Sequence, residues 1–410
     1  MVALIPVTTA RIGEHLPLLE LLPEANPVSW VRSGEGLVGW GIHATTTVSG
    51  RDRFEKAREW WHQQLETFSV SNSVHVSGTG PVLFASFSFD RNDESVLVIP
   101  QVVVGQKGSQ SWITWIGSAP QPHLNEVRDN ASGARFDFSE GTFSSDEWQK
   151  RVAEAISRVA TNTVDKVVLA RDVIATSQSE IDVRPILRKL ADEYPSTWTF
   201  SVDGLVGATP ELLLRLSRGM VTSRVLAGTI PKTGDDEKDL ALAASLARSS
   251  KDLEEHEYAV RSVAEALDPF CSSTNVPESP FVLHLANVMH LATDVTGALV
   301  ETKQHIDAFS LLKSLHPSAA VCGTPRNIAF DIIDEIEGLN RGRYAGPVGW
   351  IDSSGDGELG IALRCGQITD HTIRIFAGCG IVAGSDPKKE LEESNAKMVA
   401  MRSALQADQK

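Results

Sequence analysis

Strand-like and helix-like runs in this chain do not alternate, which excludes a doubly wound parallel sheet. From about residue 28 to 140 the sequence is mostly strand. PVSWVR, LVGWGIHATTTV, PVLFASFSF, SVLVIPQVVVG and SWITWIG are dense in β-branched and aromatic residues and are broken by Gly, Asn and Asp clusters. One helix interrupts them, RDRFEKAREWWHQQL, with Phe54, Ala57, Trp60, Trp61 and Leu65 at helical spacing. The polar stretch NEVRDNASGARFDFSEG then marks a boundary between a β-rich part, residues 1–140, and a mixed part, residues 141–410, that together make one large α+β unit.

In the second part, Ser144 with Glu147 three residues on spells a capping box opening a helix through Val159. DKVVLARDVIAT reads as a strand, VRPILRKLADEY as a helix, and the segment from Thr197 to Leu226 as strands with hairpin turns. One long helix is expected from about Glu237 to Leu267 and another from Ala329 to Glu337, then strands, then a last helix from Pro387 to Leu405.

The 410 residues are ample for a large core without covalent staples. With 38 Lys+Arg against 53 Asp+Glu the net charge is −15, which argues against nucleic acid and anionic membranes as partners. If the substrate is an anion, the chain must build a local positive pocket against its own field. No apolar run approaches the ~20 residues of a membrane span, and the start of the chain lacks a signal peptide's basic and apolar regions. Cys271, Cys322, Cys365 and Cys379 show no metal or disulfide spacing. These features predict a reduced, cytoplasmic protein, with a monomer as the default state.

Two familiar patterns fail on context. Gly34 to Gly39 fits G-x-G-x-x-G, but a strand-like run follows where a dinucleotide site needs a helix. Ser310 to Lys313 fits S-x-x-K without the partner motifs of that enzyme class.

Carboxylates on two late helices carry more. Asp252 and Glu255 share a helix face, as do Glu390 and Glu393, with Lys397 one turn beyond Glu393. Facing each other, the four would suit a hard divalent ion, although solvated helix faces are the commoner outcome. Lys166 heads an apolar strand, where desolvation could leave it partly neutral and able to act as a base. Glu211 follows Pro210 at a strand start, where burial could keep it protonated as an acid. A strand-edge charge and a turn residue are the plain alternatives. Arg364, inside an apolar strand, needs an anion from the protein or from a ligand.

In order, KVVLAR (166–171), ATPELLLR (208–215), LAGTIP (226–231), KDLEEH (251–256), HLAT (290–293), LHPSAAVCGTP (315–325), YAGPVGW (344–350), ALRCGQI (362–368), FAGCGIV (376–382) and ELEESNAKM (390–398) resemble the chorismate-utilising enzymes. The resemblance implies one α+β domain with a β-sandwich core of two sheets, helices packed outside, and the active site in a cleft. It implies Mg²⁺ held directly by Glu255 and Glu393 and through water by Asp252 and Glu390. Arg364, Tyr344, Lys397 and the backbone at Gly380 would bind carboxylates of chorismate, with His290 beside the ring. Lys166 matches the water-using members, as general base, with Glu211 as general acid. Ala227 departs from the lysine of the aminodeoxychorismate-forming members. His316 and Cys365 favour the isochorismate-forming branch over the salicylate-forming one, the alternative that also eliminates pyruvate. Both menaquinone and siderophore pathways fit that branch. A non-catalytic binding subunit and a glycosidase-like carboxylate pair rank below. One departure, PSAA after LHP, touches loop geometry only.

Overall fold

The computed structural model describes residues 3–13, 16–125, 135–161, 163–301 and 306–406. Strand pairing is antiparallel throughout, save for Ile5–Ile12 with Phe68–Asn72. Ser95–Lys107 is the junction, because its long antiparallel ladder with Glu35–Val48 leaves its other edge free to pair with Val82–Ser86 at one end and Gln110–Ile116 at the other.

Two arms leave this junction. The first runs from Glu35–Val48 through Val28–Arg32, Trp198–Val202, Leu205–Thr209, Cys365–Thr369 and Thr372–Ile381 to Lys166–Ser177. The second runs from Val82–Ser86 through Pro347–Asp352, Gly357–Ile361, Leu212–Ser217 and Met220–Pro231 to Val288–Leu299. Trp30, Phe200 and Leu205 of the first arm share one buried apolar cluster with Phe84, Leu214 and Leu359 of the second. The arms therefore face each other as the two layers of a sandwich, the α+β architecture the motifs implied. Strands from before residue 140 pair with strands from after it in both arms. The boundary stretch expected at residues 125–141 lies partly outside the described residues.

Eight α-helices are described: α1 (Arg53–Leu65), α2 (Ser145–Ala160), α3 (Val183–Glu193), α4 (Asp236–Leu246), α5 (Ser250–Leu267), α6 (Ala308–Leu315), α7 (Arg326–Ile336) and α8 (Pro387–Leu405). The outer face of the first arm is covered by α3 and α8, whose Ile186, Leu190, Met398 and Met401 pack on Val173, Ala175, Ile373 and Ile375. The capping box at Ser144 and Glu147 forms as the sequence predicts.

The single helix expected from Glu237 to Leu267 is instead two. Ala247 ends α4, and the Ser249 side chain accepts a hydrogen bond from the Asp252 amide to open α5. This break places Asp252 in the first turn of α5 and Glu255 just behind it. At the other late helix, Asp386 accepts from the Lys388 and Lys389 amides and Pro387 occupies the first position, placing Glu390 in the first turn of α8. Both acidic pairs thus sit near helix N-termini, whose dipoles favour carboxylates.

Candidate active site

Lys166 begins the strand that pairs with Thr372–Ile381, and Gly380 lies across from Val168 on that neighbour. A Cβ on Gly380 would stand 2.3 Å from Glu255 Oε1 and 2.8 Å from Lys166 Cε and would push both side chains aside. The missing side chain lets α5 lay Glu255 against the strand. Lys166 is 1% exposed, and its Nζ donates to Glu255 Oε1 at 3.0 Å.

Two further lysines hold the other glutamates. Lys397 Nζ bonds Glu393 Oε1 at 2.6 Å and the Gly378 carbonyl at 2.9 Å, while Lys251 Nζ bonds Glu390 Oε1 at 3.1 Å. Burial and the Glu255 and Glu393 charges raise the Asp252 pKa, and burial with the Glu393 charge does the same at Glu390. Burial also pushes Glu255 upward, but Lys166, Lys397 and Lys251 outweigh it and hold that carboxyl below its ordinary range. Excess negative charge at Asp252 and Glu390, with oxygen donors from two helices, is the donor chemistry a hard divalent cation takes. Among the described residues, Glu390 and Glu393 bring ligand atoms within 4.8 Å of one another with the buried Cys379 thiol beside them, and Asp252 and Glu255 are tied to this group through their charges.

A cavity of about 50 Å³ adjoins this cluster, lined by Glu211, Glu255, His290, Tyr344, Arg364, Gly380 and Lys397 among others. The expected catalytic and substrate-binding residues thus converge: six of them line the cavity together with the expected metal ligand Glu255, and Lys166 reaches it through Glu255. A groove of about 430 Å³ beside Trp30 and Trp198 is larger. Of its two carboxylates, Glu358 is already taken by both indole N–H groups and by Arg215, and Glu35 accepts from the Gly108 amide. The small cavity, with its convergent titratable groups, is the better seat for chemistry.

Within it, charge is arranged in opposite ways. Burial raises the Glu211 pKa to about 8 against the pull of Lys166, Arg364 and Lys397, so its carboxyl stays largely protonated near neutral pH. Burial and the charges of Arg364 and Lys397 hold His290 well below its usual range, leaving the imidazole neutral. Arg364 donates to His290 Nε2 at 2.9 Å, which leaves the Nδ1 proton to face Thr229 Oγ1 at 3.0 Å. The sequence demanded an anion for Arg364, yet among the described residues no carboxylate lies within 4.0 Å of it. A buried guanidinium whose side-chain partner is a neutral ring presents an open anion site. Burial keeps the Tyr344 phenol protonated, and its ring stacks on Phe376 at 5.0 Å.

The structure pairs Lys166 with Glu255, so a base role there requires Glu255 to turn to another cation.

The sequence did not reveal that Arg364 (φ +49°) and Ala345 (φ +62°) both adopt the left-handed region. Such positions cost roughly 1–3 kcal/mol each and persist where surrounding bonds over-determine them. Here the Arg364 carbonyl accepts from the Ala208 amide at 3.1 Å, and the Ala345 amide donates to the Ala362 carbonyl at 2.9 Å. His256 was also missed. It is buried beside Glu255 and binds the Ala227 carbonyl and Thr293, tying α5 to both strands behind the cavity.

Sandwich, acidic pairs and anion-seeking cavity together define an enzyme that handles a small carboxylate with a divalent ion. The family model for chorismate binding enzymes matches residues 24–406. The chain belongs to that family. It is 32% identical to the isochorismate synthase MenF of Bacillus subtilis over 90% of this chain and 85% of that protein. It is 34% identical to the isochorismate synthase DhbC of the same organism, over 84% and 87%. The solved structure of the menaquinone-specific isochorismate synthase MenF from Escherichia coli superposes with a TM-score of 0.79. That match covers 98% of this chain and 95% of the other at 23% identity, a likeness of fold. No helix among the described residues is long and apolar enough to cross a membrane.

Proposed function

We propose that this chain is an isochorismate synthase, converting chorismate to isochorismate with Mg²⁺. The observation that carries the reading is Glu211: a carboxyl with a pKa of about 8, in one cavity with an Arg364 that lacks an anion.

Glu255 and Glu393 would hold the ion directly, with Asp252 and Glu390 acting through water. When bound, it supplies a Lewis acid that fixes and neutralises the ring carboxylate. Arg364, steadied by neutral His290, receives a carboxylate; Tyr344, Lys397 and the Gly380 backbone complete the pocket. An acidic chain thereby binds a dianion through a few placed charges.

Lys166, freed from Glu255, takes a proton from a water that bonds to C2. Both ring double bonds shift, the C4–O bond breaks, and Glu211 gives its proton to the departing hydroxyl, releasing water. Product and substrate are isomers, and proton return from Lys166 to Glu211 through solvent resets the site. Acid and base assistance each contribute about 10²–10⁴-fold. The 50 Å³ cavity is too small for this substrate, so binding must displace the lysine–glutamate pairs or open the wall. We place the enzyme in the cytoplasm and treat residues 1–140 and 141–410 as one unit.

The test is incubation of the purified protein with chorismate and Mg²⁺, followed by product chromatography. Isochorismate alone is expected; salicylate with pyruvate would move the assignment to the salicylate-forming branch.

A further inference from the structure

Arg53 occupies a costly position. It is 6% exposed, and its Nε has no hydrogen-bond partner. It also lies in the first turn of α1, where the helix dipole disfavours a cation. Among the described residues no carboxylate comes within 4.0 Å of it. Burial lowers its pKa to about 10. A methionine or leucine would fill the space without these penalties.

The guanidinium sits over the Phe54 ring, 4.6 Å from its centroid, and reaches His316. Arg53 NH2 lies 3.5 Å from His316 Nδ1, and His316 Nε2 lies 3.1 Å from the Ala345 carbonyl. A guanidinium only donates and a carbonyl only accepts, so Nδ1 must be bare and Nε2 must carry the proton. Burial and the Arg53 charge take the His316 pKa down to about 3, so the ring stays neutral. Phe54 and Phe89 set edges against the imidazole with centroids 6.5 and 5.9 Å away, fixing its plane. The carbonyl it holds belongs to Ala345, the left-handed residue beside Tyr344, and both line the cavity.

We propose that Arg53 and His316 form a positioning relay: helix α1, from the β-rich part of the chain, selects the His316 tautomer that pins the Tyr344–Ala345 corner of the active cavity. Neither residue touches substrate. Arg53 sets the ring's proton, the ring sets the Ala345 carbonyl, and the carbonyl sets where Tyr344 presents itself to a bound carboxylate.

The kinetic arm rests on the proposed isochorismate synthase activity; the spectroscopic arm does not. Glutamine at position 316 can place its amide N–H near the Nε2 position, whereas asparagine reaches only as far as Nδ1. In the full-length protein, His316→Gln should keep the KM for chorismate within about threefold of wild type. His316→Asn should raise it about tenfold or more, with kcat less affected and the two variants melting alike. Nitrogen-15 spectra should show His316 as the Nε2–H form in wild type and as a tautomer mixture in Arg53→Met. Equal KM in both His316 variants, or losses that simply follow their melting temperatures, would overturn the relay. So would an unchanged tautomer in Arg53→Met. If wild type turns over no chorismate, the functional reading fails while the nitrogen spectra still decide the relay.

Discussion

Glu211 and Glu255 line the same cavity, the first buried and the second largely so, yet they hold opposite charge states. Desolvation dominates at Glu211, whose cationic neighbours act from beyond hydrogen-bonding reach, and its pKa rises to about 8. At Glu255 the same penalty is overcome because Lys166 stands 3.0 Å away with two more lysines behind it. Contact with a cation, rather than depth of burial, decides which carboxyl is an acid and which is a ligand. One end of the cavity keeps a proton ready to give, and the other keeps negative charge ready for a metal.

Removing the lysine between the two ends should have the largest effect. Lys166→Gln is expected to lower kcat about 10³-fold, since it deletes the proposed base and leaves Glu255 without its contact. Metal affinity, measured by calorimetry, should be retained. Full turnover in this variant would end the base assignment.

Next comes the acid. Glu211→Gln should cut kcat about 10²-fold with little change in substrate affinity, because an amide keeps the shape but has no acidic proton to give. For wild type, kcat should fall as pH rises through about 8, where the carboxyl loses its proton. Stability carries the same signature. Between the ordinary carboxylate range near 4.5 and about 8, unfolding releases a proton that the folded chain retains. Raising pH through that window therefore destabilises the fold, and Glu211→Gln should gain more in Tm over wild type at pH 8 than at pH 5. A flat Tm difference would show that the folded environment does not raise this group.

Smaller effects probe the rims. Arg364→Lys should raise KM for chorismate about tenfold, because an ammonium cannot reproduce a planar two-pronged grip on a carboxylate. Lys251→Met should tighten divalent-ion binding about fivefold. It removes a half-exposed competitor for Glu390, a pair worth roughly 1 kcal/mol at most. Unchanged metal affinity would mean that Glu390 stays out of the ion's surroundings.

Much of this comparison was legible in sequence, but unevenly. The acidic pairs at Asp252/Glu255 and Glu390/Glu393 are visible because helical periodicity is local and caps mark where each helix begins. Lys166 and Glu211 were visible as charges in apolar strands. That the two arms bring them to one cavity depends on long-range pairing, such as Gly380 opposite Val168, which no local pattern encodes. The ordered motifs supplied that connection by resemblance alone. The break at Ala247 was missed because helical periodicity runs on across it; the Ser249 cap was the available signal. The left-handed backbone at Ala345 and Arg364 left no trace, since neither residue type announces positive φ.

The most direct test is turnover of chorismate in ¹⁸O-labelled water with Mg²⁺, read by mass spectrometry and carbon NMR. A site built from a water-activating amine and a carboxyl that protonates the leaving hydroxyl should yield isochorismate labelled at C2, with no pyruvate. Isochorismate without label would show that the hydroxyl migrates within the substrate, and absence of isochorismate would remove the function itself.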